Sequence, residues 1–239
     1  MDLDAFLGEL AAWAGERDPG WETVAYGEHA EQVADVRGGG TQVAAVVHGG
    51  FWRSSFTRAN TRALAVDLAL RGWTSWNVEY RRIGNGGGVP ETLEDVAAAV
   101  ARSGATVVLG HSAGGHLALW AGGDTRVPAV SLAGVCDLTA AARDGIGAGA
   151  AVELAGGTPE ERPEAYALAD PMQRLPVETA QLVVHGDADD RVPVEYSRRY
   201  AAAAGCELLE LAGVGHFEVI DPRTDAWADV AGRLGALAA

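Results

Sequence analysis

The chain has 239 residues, 48% of them apolar, and carries 33 acidic side chains against 18 basic ones for a formal net charge of −15. That is enough apolar material for one large α/β core, while the acidic balance argues against nucleic acid and anionic membrane surfaces as partners. No window approaches the roughly 18 uninterrupted apolar residues of a bilayer span. The opening Met-Asp-Leu-Asp-Ala-Phe lacks the basic and long apolar regions of a secretory signal. Cys136 and Cys206 are too few for a disulfide framework and form no C-x-x-C pair. A reduced, cytoplasmic protein is the expectation.

In chain order, residues 3–17 predict an amphipathic helix with Leu3, Phe6, Leu7 and Leu10 on one side. Trp21–Tyr26 and Gln32–Val36 read as two antiparallel edge strands joined by the turn Gly27–Ala30. Val43–Val47 is a continuous apolar run, as a strand buried on both faces requires, and it ends in His48-Gly49-Gly50-Phe51-Trp52. Asn60 can cap a helix reaching Arg71, with Leu64 and Leu68 inward and Gly72 as its stop. Trp73–Tyr80 is strand-like, and Tyr80, Arg81 and Arg82 are expected as a solvated loop end. The glycine-rich loop at 84–88 has Val89 where a dinucleotide signature needs glycine. Thr92 with Asp95 resembles a capping box, and Leu93, Val96, Ala97 and Val100 follow at helical spacing.

Thr106–Leu109 is a short buried strand and Leu117–Ala121 the apolar run of a helix, with Ala129–Val135 the next strand. An Ala/Gly-rich excursion at about 138–176 is expected to hold two or three short helices and to form a small cap over the site. Gln181–His185 is another buried strand, Pro193 can open a helix to Ala204, Glu207–Leu211 is the last strand, and Asp225–Leu237 closes the chain as a helix. Strands alternating with helices imply an α/β fold: one domain over residues 1–239, with a mostly parallel sheet covered on both faces and right-handed crossovers. In such sheets active residues gather at the carboxyl edge of the strands.

Chemistry-bearing residues fall at that edge. Ser112 sits in Gly110-His111-Ser112-Ala113-Gly114, a G-x-S-x-G with a strand before it and a helix after it. A serine on so tight a bend is held strained with its hydroxyl exposed. Side chains two positions away would collide with neighbouring elements, hence the glycines. The helix that follows aims its N-terminal amides and positive dipole end at the same spot, where an oxyanion would be stabilised. A serine hydroxyl needs an imidazole as base, and the imidazole needs a carboxylate to fix its tautomer. Asp189 and His216 follow later strands, in the chain order expected when G-x-S-x-G opens on such a sheet. His111 is expected to line the pocket, and His48 to hold the glycine loop through hydrogen bonds. His111 and His116 lie about 140° apart around a helix, so they cannot chelate a metal from one face. No P-loop pattern exists, and neither metal nor cofactor is expected.

GHSAGGHL, HGDADDRVP and GVGHF resemble the nucleophile, acid and histidine segments of the α/β-hydrolase fold, and HGGFW resembles the oxyanion-loop motif of kynurenine formamidases and related small carboxylesterases. The resemblance covers roughly residues 42–237. It implies Ser112 as nucleophile, Asp189 as acid and His216 as base, with the amides of Gly49, Gly50 and Ala113 forming the oxyanion hole. Asp187 and Asp190 compete with Asp189, and the pattern HG-x-x-D-x-x-V-P favours Asp189. Trp52, His111 and Phe217 are the candidate substrate-binding residues, although packing is an equal reading for Trp52. The implied activity is hydrolysis of a small-molecule ester, with an aryl formamide such as N-formyl-kynurenine as the second substrate class. A scaffold that binds a small ligand without turning it over is the rival from outside enzymology. A peptidase is disfavoured, because a chain this short holds no propeller or gating domain. Sequence fixes neither the acyl group nor the oligomeric state.

Overall fold

A computed structural model of the chain describes residues 3–238; Met1, Asp2, Ala239 and the Leu3 side chain lie outside the described residues. Eight strands form one sheet: β1 (Glu22–Ala25), β2 (Val33–Arg37), β3 (Val43–Val47), β4 (Thr74–Val78), β5 (Val107–His111), β6 (Ala129–Leu132), β7 (Gln181–Gly186) and β8 (Glu207–Leu211). Their spatial order is β1-β2-β4-β3-β5-β6-β7-β8. The first two neighbour pairs are antiparallel and the other five parallel. Mostly exposed β1 therefore forms an antiparallel edge, as its sequence suggests.

Central strands are apolar throughout because both faces are covered. Ala44 and Val46 of β3 point into one layer with Leu109, Val130 and Val184. Ala45 and Val47 point into the other with Val108 and Val183, as the period of two along a strand demands. The first layer is closed by α2 (Arg62–Leu70) through Leu64 and Leu68 and by α9 (Asp225–Leu237) through Trp227, Val230 and Leu234. Trp227 is fully buried and donates its indole N–H to Asp67 at 2.6 Å. The second layer holds α3 (Glu91–Ser103), α4 (Ala113–Thr125) and α8 (Val194–Ala204). N-terminal α1 (Leu3–Arg17) packs Phe6, Leu10 and Ala14 on Ala63 and Val66 of α2.

Several local expectations give way to tertiary bonds. The turn Arg58–Thr61 is a 3₁₀ helix capped by Thr57, whose hydroxyl accepts from the Ala59 amide, so Asn60 is not a cap. Thr92 and Asp95 lie inside α3 rather than forming a capping box: Thr92 donates to the Arg81 carbonyl at 2.7 Å, and Asp95 accepts from Arg81 and Gln32. Tyr80 and Arg82 are buried, not solvated; the Tyr80 hydroxyl donates to the His48 carbonyl, and Arg82 pairs with Glu79 and Glu31. Strand β6 stops at Leu132 because Ala133 turns left-handed and lays Gly134 against Gly115.

Between β6 and β7 the chain makes α5 (Leu138–Arg143), α6 (Ile146–Ala155), α7 (Pro163–Ala169) and a 3₁₀ turn, Pro171–Arg174. Leu138, Ala150, Leu154 and Tyr166 join this segment to the second core layer.

Candidate active site

Ser112 stands between the end of β5 and the start of α4 at φ 56, ψ −119, a region that a side-chain-bearing residue holds only under strain. Neighbouring glycines make the bend possible. A Cβ on Gly110 would lie 2.1 Å from the Gly114 carbonyl oxygen, and one on Gly114 would lie 2.2 Å from that of Val47. Strand, the Ser112 bend and helix are thus in backbone contact. The Ala113 amide heads α4 beside Ser112, in the first turn where amides have no intrahelical acceptor.

The glycine loop after β3 runs alongside. A Cβ on Gly49 would meet the His111 carbonyl oxygen at 2.7 Å and Ser112 Cβ at 3.0 Å. Gly50, Phe51 and Trp52 are consecutive residues of positive φ, which turn the loop beside Ser112. His48 secures its base: Nε2 donates to Glu79 at 2.7 Å, Nδ1 lies 2.7 Å from the Gly49 carbonyl oxygen, and the ring stacks on Tyr80.

Asp189 follows β7 with its side chain wholly buried. One oxygen accepts the amides of Arg191 and Val192 at 2.7 and 2.9 Å, and the other accepts His216 Nδ1–H at 2.7 Å. Burial raises the carboxyl, but hydrogen bonds from His185 and His216 outweigh it and hold Asp189 below the usual carboxylate range. Its competitors are elsewhere: Asp187 accepts the Gly213 amide, and exposed Asp190 faces Arg191. Gly186 allows the two loops to meet, since a Cβ there would lie 1.9 Å from the Val214 carbonyl oxygen. His111, at the end of β5, donates from Nε2 to the His216 carbonyl at 2.8 Å and packs on its ring. Burial lowers the His111 ring to about 3, so it is neutral at physiological pH.

Ser112 and His216 open onto one cavity of about 50 Å³. Gly49, Gly50, His111 and Phe217 line it. Trp52 does not: it is buried and donates its indole N–H to His116 Nδ1, whose Nε2 donates in turn to the Ala169 carbonyl. The walls are instead Leu7 of α1, Phe51, Phe56 and Ile220, with Asn60 and Arg191 as further polar groups. Phe51 and Arg191 lie within the HGGFW and HGDADDRVP motifs, but Leu7, Phe56, Asn60 and Ile220 come from segments outside the motifs, so sequence offered no signal for those four. Among the described residues, none from 138–176 lines the cavity; that segment backs it from behind, where a Cβ on Gly147 would fall 2.2 Å from the Phe51 ring. Larger recesses exist, such as the one beside Trp120 and Arg174, but that one lacks a serine–histidine pair.

Sheet order, crossovers and a serine elbow at the carboxyl edge define an α/β-hydrolase fold. Solved structures share it. A putative thioesterase from Silicibacter sp. TM1040 superposes with TM-score 0.78 at 21% identity, covering 97% of this chain and 93% of its own. Thermogutta terrifontis esterase 2, phosphoramylated by tabun, gives 0.72 at 21% identity, covering 91% and 93%. A bifunctional GH43-CE protein of Bacteroides eggerthii gives 0.79 at 19% identity over 92% of this chain, which spans 38% of that longer one. At these identities the likeness is one of fold. The chain belongs to the prolyl oligopeptidase family, whose model matches residues 84–223. No curated protein sequence matches it. Among the described residues, no helix is long and apolar enough to cross a membrane.

Proposed function

We propose that this protein is a serine hydrolase that cleaves a small carboxylic ester through an acyl-enzyme on Ser112. The observation that carries the reading is the 2.7 Å bond between His216 Nδ1 and a buried Asp189, beside the cavity onto which Ser112 also opens. With Nδ1 committed to Asp189, Nε2 is the nitrogen left to serve Ser112. His216 takes the Ser112 proton as Oγ attacks the carbonyl carbon, and the amides of Gly49, Gly50 and Ala113 receive the oxyanion. As the tetrahedral intermediate collapses, the imidazolium returns the proton to the leaving alkoxide. Water, deprotonated by the same nitrogen, then attacks the acyl-enzyme; collapse frees the acid and returns the proton to Ser112. Losing one oxyanion donor removes about 3 kcal/mol of transition-state stabilisation. A small, apolar-walled cavity suits a short acyl group, and the putative thioesterase and the esterase among the structural neighbours agree with an ester substrate.

Turnover of p-nitrophenyl acetate is expected in the native protein and absent in Ser112→Ala; an unchanged rate in the variant removes Ser112 as nucleophile, and a native protein without turnover leaves a ligand-binding scaffold. The HGGFW segment favours a second substrate, N-formyl-kynurenine or a similar aryl formamide. Comparing kcat/KM for that compound with short acyl esters, and with a short peptide amide as control, separates the readings. Formyl-kynurenine no better than the control excludes the formamidase.

A further inference from the structure

The carboxylate bonded to His216 carries a second imidazole. His185 lies near the end of β7, wholly buried. Its Nε2 is 3.0 Å from Asp189 Oδ2 and 3.0 Å from the Val192 carbonyl oxygen. Its Nδ1 is 2.7 Å from the hydroxyl of Ser197, a buried residue of α8. Two acceptors face Nε2, one of them anionic, so the ring hydrogen belongs there; a lone pair in that position would be repelled by both. Nδ1 is then the acceptor and the Ser197 hydroxyl the donor, which fixes the tautomer from behind.

Asp189 thereby receives three N–H groups, the Arg191 and Val192 amides on Oδ1 and His216 Nδ1–H on Oδ2, while the His185 Nε2–H that bonds the Val192 carbonyl lies 3.0 Å from Oδ2 as well. The amides hold one oxygen within its own loop. The His185 ring, anchored by the Val192 carbonyl and Ser197, stands against the other and confines the plane of the carboxylate, which governs how squarely Oδ2 meets His216. His185 does not line the cavity and cannot touch the substrate there.

We propose that His185, with its tautomer set by Ser197, is a positioning residue that fixes the Asp189 carboxylate on His216. This rests on the reading of Ser112, His216 and Asp189 as the catalytic set. Without the His185 N–H, the carboxylate can turn about its Cβ–Cγ bond and the His216 bond loses alignment. Substrate binding is untouched, so the loss falls on kcat.

The test uses the full chain with His185→Leu, which removes the donor, and His185→Gln, whose terminal amide restores an N–H near the ring position. Rates are normalised to active sites titrated with a fluorophosphonate. In His185→Leu, kcat for p-nitrophenyl acetate should fall about tenfold or more with KM within about twofold, and His185→Gln should recover most of it. In proton spectra, the downfield resonance of the His216–Asp189 hydrogen should be present in the native protein and His185→Gln, and shifted or lost in His185→Leu. Should the leucine variant fail to fold, ring ¹⁵N shifts of the native protein decide: hydrogen on Nε2 of His185 supports the assignment, and hydrogen on Nδ1 overturns it. Wild-type kcat and an unmoved His216 resonance in His185→Leu also overturn it, while leaving the esterase reading intact. A native protein without esterase activity whose His216 resonance still moves removes that reading and keeps the positioning role.

Discussion

Gly186→Ala perturbs the approach of the two loops that carry Asp189 and His216 without altering either residue. A methyl group there would sit 1.9 Å from the Val214 carbonyl oxygen, where even a tight real contact needs 3.0 Å or more. The obstacle is main chain: the Val214 carbonyl also accepts the Ala188 amide at 3.1 Å, two residues before His216. The loops must part by about 1 Å, a displacement that lowers rates roughly 100-fold when it falls on a catalytic group. Forcing a methyl into a packed site destabilises the fold by about 1–3 kcal/mol as well. Steady-state kinetics with p-nitrophenyl acetate, beside a urea melt, should show kcat down about two orders of magnitude with a folded protein at assay temperature. Near-native kcat in Gly186→Ala would refute the claim that this contact sets the His216–Asp189 geometry.

Asp189→Asn should keep the fold and lower kcat by about 10³–10⁴, because the amide supports the wrong tautomer of His216; a loss under tenfold in steady-state assays would reassign the acid. Burial depresses three rings, His48 and His111 to about 3 and His116 to about 4. The unfolded chain therefore binds protons below about pH 6.5 that the folded chain refuses, and stability rises with pH there. On acidification each ring removes up to about 1.4 kcal/mol per pH unit until its folded value is reached. The urea midpoint should accordingly fall between pH 7 and pH 5, and a flat profile would contradict it. Burial pushes the Cys136 thiol up to about 11, whereas Cys206 is partly exposed. Iodoacetamide at pH 8 should modify Cys206 first, with Cys136 reacting only on unfolding, as peptide mapping would report.

Periodicity made the core legible where a residue's neighbours in sequence are also its constraints. β3, β8 and α9 lie at their expected bounds, and the antiparallel edge and parallel centre follow from patterning. Helix starts were less legible. Thr92 and Asp95 have the spacing of a capping box, yet their side chains bond across the fold to Arg81 and Gln32, 11 and 63 residues away in sequence respectively. Arg82 looked like a solvated loop end because Glu31, which joins the nearby Glu79 as its partner, is brought alongside only when β2 and β4 pair. Motif residues could be placed at the sheet edge, because strained glycine turns leave a local signature. The cavity walls could not: Leu7, Phe56 and Ile220 converge from distant, motif-free segments. Trp52 shows the converse, for its place after Gly49 and Gly50 left pocket wall and packing as equal readings, and a left-handed backbone turns it onto His116.

Covalent labelling tests the central claim most directly. Intact native protein treated with a fluorophosphonate should gain one adduct, mapped by mass spectrometry to Ser112, and Ser112→Ala should gain none. A native protein that stays unlabelled, or carries the adduct on another residue, would contradict the assignment of Ser112 as nucleophile.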